Sequence, residues 1–190
     1  MRRSLICAAS VALTFACTGA WADSFSKTIE LFKHAGASSA FFGNCYGYAV
    51  FPTVGKGGLG LGAAHGTGHV YERGQVVGHA SMTEISIGFQ FGGEAFSEII
   101  FFQDRRAFDQ FTSGQFKFDA GVGAVVITAG AAANAGTSGA NAGASGTKKH
   151  ATTAGSYYKG MAVFTIVKGG AMYEMSVAGQ KFSYKPGLPE

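Results

Sequence analysis

Three histidines, two glutamates and one run of glycines are the residues of this chain whose types and spacing could do chemistry. His65 and His69 stand four apart, so on a strand they would share a face, and His79 follows across a short turn. Such a group could hold a divalent metal, but a zinc-type site also wants a cysteine or carboxylate at fixed spacing, and none accompanies it. The expectation is ordinary loop histidines and no metal. Glu94 and Glu98 could serve as an acid/base pair, yet their spacing puts both on one side of one strand rather than across a substrate. Gly55-Lys56-Gly57-Gly58-Leu59-Gly60 matches a dinucleotide fingerprint, whose pyrophosphate must rest on a helix N-terminus; the residues that follow read as strands. Neither a Gly-x-Ser-x-Gly elbow nor a Walker A loop occurs. The reading is therefore a protein with no catalytic residue to nominate and no cofactor: not an enzyme.

The elements that would position these residues begin after a leader. Arg2 and Arg3, an apolar stretch from Leu5 to Phe15 and Ala20-Trp21-Ala22 together read as a signal peptide cleaved after Ala22. Residues 1–22 then leave a single domain over 23–190, exported to the periplasm or beyond. Of the 190 residues this removes Arg2 and Arg3, so the net charge falls from +4 to +2, too little and too scattered for a nucleic-acid groove. Two of the three cysteines leave as well, and Cys45 has no intrachain partner. Apolar packing must hold the domain, and 17 phenylalanines make that feasible.

From Asp23 to Ala35 the pattern is an amphipathic helix with Phe25, Ile29 and Phe32 on one stripe and Asp23 or Ser24 as N-cap. The stripe either docks on the domain's own core or enters a bilayer interface, with Lys27 and Lys33 toward headgroups at about 1 kcal/mol each. Phe41 to Phe51 reads as a strand stopped by Pro52. Thr67–Glu72, the turn Arg73-Gly74 and Gln75–Ala80 read as a hairpin. Thr83, Ile85, Ile87, Phe89 and Phe91 alternate with Glu84, Ser86, Gly88 and Gln90, giving one apolar and one polar face. Met82 to Gly92 would suit a membrane barrel strand, but no other stretch does, so a soluble domain is expected. Ile99-Ile100-Phe101-Phe102 suggests burial on both faces. Asp104 caps a short helix with Phe108 and Phe111 turned inward and Gly114 closing it. Val122 to Thr128 is a strand, residues 129–156 form a low-complexity insertion, and three short strands finish the chain at Met161–Val167, Ala171–Ala178 and Gln180–Tyr184. The expected fold is mainly β, an antiparallel sandwich or barrel-like domain with an N-terminal amphipathic helix and one short inserted helix.

TIELFKHA, YGYAVFPTVGKGGLGLG, GQVVGHASMTEISIGFQFGGEAFSEIIFFQD and YYKGMAVFTIVKGG resemble the bacterial branch of the SYLF domain family, a lipid-binding module also found in actin-organising proteins of eukaryotes. The likeness runs from about Thr28 to Tyr184, nearly all of the domain. It implies a non-enzymatic protein that associates with anionic phospholipids, phosphoinositides in the eukaryotic members, partly through an amphipathic helix at its start. Carried onto this chain, that makes Phe25, Ile29 and Phe32 the candidate insertion residues and Lys27 and Lys33 the candidate headgroup contacts. Lys56 is the candidate ligand contact of the glycine run. The alternative is a scaffolding protein that uses the same surfaces for protein contacts.

Overall fold

The sheet grows outward from one tight turn. Arg73 (φ 50°) and Gly74 (φ 83°) both take positive φ, the two-residue hairpin geometry whose twist matches that of the strands it joins. In the computed structural model, which describes residues 18–118, 125–127 and 157–187, strand β1 (Gly47–Glu72) enters this turn and β2 (Gln75–Phe102) leaves it. They stay antiparallel from Glu72 opposite Gln75 to Gly47 opposite Phe102. A third long strand, β5 (Met161–Pro186), runs antiparallel along β2 from Gly78 opposite Pro186 to Phe102 opposite Met161. The short β3 (Gln115–Phe118) adds to the far edge, giving the order β1-β2-β5-β3, and β4 (Val125–Ile127) pairs with β5 in parallel.

The mainly β class and the hairpin are as the sequence implies, but the strands are longer than local reading allows. Pro52 does not end β1. The strand continues because it is the edge of the sheet, where a missing N–H leaves no ladder partner stranded, and the register slips between Phe51 and Val54. Ser97 Oγ, donating to the Pro52 carbonyl at 2.7 Å, ties the irregularity down. Lys168-Gly169-Gly170 likewise is no turn: Ala95 faces Gly169 while Phe96 faces Val167, so Lys168 is one extra residue inside a continuous β5.

Such long strands cannot lie flat over one small core, and β1 doubles back on itself. A Cβ built on Gly68 would lie 2.5 Å from the Val50 carbonyl oxygen, and one on Gly66 would lie 2.7 Å from Val54 Cγ2. Backbone therefore packs on backbone with no room for a side chain. Between the two halves sits a core of Phe51, Val54, Val70, Met82, Phe102 and Phe182, closed at one end by Phe108 and Phe111 of helix α3 (Arg105–Thr112). Asp104 caps that helix as expected, accepting from the Ala107 N–H at 2.8 Å, and Gly114 (φ 109°) follows its end. A second cluster covers the other face of the first half. There Val50, Ile99, Phe101 and Phe164 meet helix α1 (Thr18–His34), helix α2 (Gly36–Ser39) and the 3-10 turn Ala40–Gly43. Ile99, Ile100, Phe101 and Phe102 are all 0% exposed, the two-sided burial their sequence suggests.

Helix α1 starts upstream of Asp23 and Ser24, which therefore lie inside it rather than capping it; Asp23 pairs instead with Lys27 at 2.5 Å. The leader reading falls on residues 1–17, outside the described residues, and on the first turns of α1. The insertion at 129–156 also lies outside them.

Candidate functional site

The amphipathic stripe of α1 takes the first of its two expected fates. Phe25 is 6%, Ile29 9% and Phe32 0% exposed, all within the cluster against Val50, Ile99 and Phe101. The Phe25 ring stacks on His69 with centroids 3.6 Å apart, so in this conformation the three candidate insertion residues face the sheet and not the solvent. A docked apolar stripe removes more hydrocarbon from water than an exposed one, which is the physical reason for the arrangement. Lys27 and Lys33 occupy the opposite, solvated side, paired with Asp23 and with Glu30 at 2.9 Å.

Lys56 is turned inward. Its ammonium lies 2.7 Å from Glu84 Oε1, an ion contact without hydrogen-bond direction, with both side chains under a tenth exposed. The Gln180 amide nitrogen donates to Glu84 Oε2 at 3.0 Å and to Glu98 Oε2 at 3.2 Å. The two carboxylates are fourteen positions apart on one strand, and the doubling of the sheet brings them to one amide. Burial drives the Glu98 carboxyl up to about 8, and its Oε1 has no hydrogen-bond partner. Glu98 is therefore a neutral acid at pH 7, sealed between the layers. Above the Lys56 backbone, a groove of about 540 Å³ is floored by Gly55, Gly57, Gly93 and Gly169, with Glu94 and Ala95 beside them. Glu94, half-buried beside this groove, and Glu98, fully buried, thus differ in their exposure.

The histidines divide as well. His69 and His79 face each other across the hairpin with ring centroids 5.0 Å apart, and burial together with His79 holds His69 down at about 4. His65 Nδ1 instead lies 3.3 Å from Thr83 Oγ1. Among the described residues, no group of three histidines, cysteines or carboxylates converges as a metal site needs.

The alternation of the clearest strand leaves open which of its faces lies inside. The period of two is real from Thr83 to Ile87, and its polar side is the one that faces the interior. Glu84 (6% exposed) and Ser86 (0%) point in, whereas Ile85 (57%), Ile87 (69%) and Phe91 (68%) point out. Leu61 (60%) lies opposite Ile87 and Leu59 (76%) opposite Phe91, so the hairpin presents five large apolar side chains in adjoining rows. The alternation carried this signal; a periodicity alone does not say which face is inside. Apolar patches of this kind on one face are rare where the protein meets only water. Among the described residues, no helix is long and apolar enough to cross a membrane.

Residues 83–186 match the model of the family described as Ysc84, Las17-binding protein actin regulator. The chain is also similar to Beta cell expansion factor A from Aeromonas veronii, 27% identical over 164 residues. That alignment covers 85% of this chain and 54% of the relative, so the chain spans about half the relative's length.

Proposed function

The chain belongs to the Ysc84 family, that of the SYLF domain, and on that premise we propose that it is a non-enzymatic protein that associates with anionic phospholipid membranes. The observation that supports this reading is the orientation of β2: Ile85, Ile87 and Phe91 outward, Glu84 and Ser86 inward. In water the arrangement forgoes burial of these large apolar side chains, whereas a bilayer interface reverses the sign. Moving a large apolar side chain out of water is worth roughly 1.5–3 kcal/mol, so five that are already partly covered supply roughly 5–10 kcal/mol, enough for peripheral binding. On this reading the contact is made by the hairpin face, and α1 contributes by holding the sheet together. The protein is then exported, with residues 1–22 removed after Ala22, and works on a membrane surface in the periplasm or outside the cell.

Co-sedimentation with vesicles tests the reading. Wild-type protein should pellet with vesicles that carry anionic lipid, and Ile85→Asn/Ile87→Asn should lose at least about tenfold in affinity with an unchanged melting curve, because both positions are already solvated. Folded wild-type protein that stays in the supernatant at low salt would sink it. The family's description as Las17-binding favours a second reading, a scaffold whose apolar rows cover a protein partner. That reading gains if the same double variant loses a protein contact while vesicle binding is absent from the start.

A further inference from the structure

Two residues along the strands from Ile85, the same outward face changes character. Lys117 on β3 stands directly opposite Lys181 on β5, Lys181 is opposite Thr83 on β2, and Thr83 is opposite His65 on β1. All four are exposed and form one row across the sheet, with the His65 ring 3.3 Å from the Thr83 hydroxyl. Side chains directly opposite on antiparallel strands hold their Cβ atoms about 5 Å apart, and like charges so placed repel. Neither lysine has an ion-pair partner among the described residues. The carboxylates that β2 carries near this level, Glu84 and Glu98, are both turned to the interior. The next row outward from the apolar tip repeats the theme without acid: Thr67, Ser81, Ser183 and Gln115.

Two ammonium groups with a hydroxyl and an imidazole beside them are complementary to a small, multiply charged oxyanion, and the match is best for a phosphate monoester. Such a group carries about two negative charges and three acceptor oxygens, so one anion can meet both lysines and the threonine. The height of the row selects the source. It lies about 7 Å from the Ile85 row and about 14 Å from the Ile87 row at ordinary strand rise, which is the offset between lipid phosphates and the upper acyl chain. We propose that Lys117, Lys181, Thr83 and His65 form a clip for the phosphomonoester headgroup of a membrane lipid, fixing the depth and orientation at which the apolar rows enter. The proposal rests on the membrane reading above and adds a headgroup class and four residues to it.

Vesicles of phosphatidylcholine carrying either phosphatidic acid or, at matched surface charge, phosphatidylglycerol separate the clip from general attraction. Wild-type protein should favour the phosphatidic acid vesicles by about tenfold. Lys117→Gln/Lys181→Gln should abolish that preference and leave the melting curve intact, while Lys27→Gln/Lys33→Gln, equal in charge removed, should keep it. A preference that survives in Lys117→Gln/Lys181→Gln, or is lost equally in both variants, overturns the clip while leaving the membrane reading standing. If wild-type protein binds no vesicle at all, the membrane reading fails, and a titration with glycerol 3-phosphate followed by the amide signals of Lys117 and Lys181 decides what remains. Saturating shifts then overturn the lipid source, and absent shifts overturn the phosphate site itself.

Discussion

Replacing Glu98 by glutamine should flatten the dependence of stability on pH. The residue is 0% exposed, and burial holds its carboxyl up from the ordinary 4.5 to about 8, with the Glu84 charge adding to the rise and Gln180 and Lys56 opposing it. Between those values the folded protein keeps a proton that the unfolded chain releases. Stability from this group is therefore complete at the acid end and falls by about 1.4 kcal/mol per pH unit up to the folded value. The whole window amounts to about 5 kcal/mol, comparable to the total stability of a marginal domain. In Glu98→Gln the side-chain carbonyl still accepts from Gln180, but the amide N–H groups lie where Glu98 Oε1 has no partner, at a cost of about 1–3 kcal/mol. The variant should thus be slightly weaker than wild type at about pH 5 and clearly stronger at about pH 8, the difference swinging by about 4 kcal/mol. His69 contributes an opposite limb, since its folded value near 4 means that stability is lost as pH falls below 6.5. Both proteins carry it, so it cancels in the difference. Urea unfolding followed by far-UV circular dichroism across this range measures the quantity directly. A difference constant to within about 1 kcal/mol from pH 5 to pH 8 would refute the argument that Glu98 is folded as a neutral acid.

Two further outcomes follow from packing. Phe32→Ala removes a 0% exposed ring from the α1 interface and should cost about 3–5 kcal/mol in chemical denaturation; a loss under about 1 kcal/mol would mean that the helix is not docked in solution. Gly68→Ala should be strongly destabilising, because its Cβ would meet the Val50 carbonyl at 2.5 Å, whereas Gly55→Ala, with nothing within 4 Å of the added atom, should shift the melting temperature little. Equal effects at the two glycines would show that β1 does not double back.

Much of the fold was legible wherever the signal was local. Arg73-Gly74 marks its hairpin because two adjacent residues must take positive φ, and Asp104 marks α3 because its carboxylate caps the backbone three residues on. Ile99 to Phe102 announced burial on both sides by leaving no polar position. What stayed hidden depends on contacts between distant residues. Pro52 and Lys168-Gly169-Gly170 have the composition of breaks, yet long ladders on β2 carry the strands past them as bulges. The α1 stripe was equally compatible with a core or a bilayer, and only the apolar face of Val50, Ile99 and Phe101 decides between them. Which face of the Thr83–Ile87 alternation turns inward is likewise absent from the local pattern. Finding it requires knowing that Glu98, Gln180 and Lys56 arrive from elsewhere to receive Glu84 inside.

The doubled ribbon also has a history in time. The hairpin at Arg73-Gly74 can close within microseconds, since its first pairs are neighbours in sequence. Its outer half cannot be rewarded so early: Gly47 must find Phe102, and β2 must wait for β5, whose Pro186 pairs with Gly78 from the far end of the chain. Loop closure over such separations has to be met before any of those contacts exist, which places assembly in the slow, milliseconds-to-seconds class of non-local β proteins. Throughout that interval β2 is an open edge with apolar side chains on both of its faces, so the half-built sheet is the state most exposed to pairing with another chain.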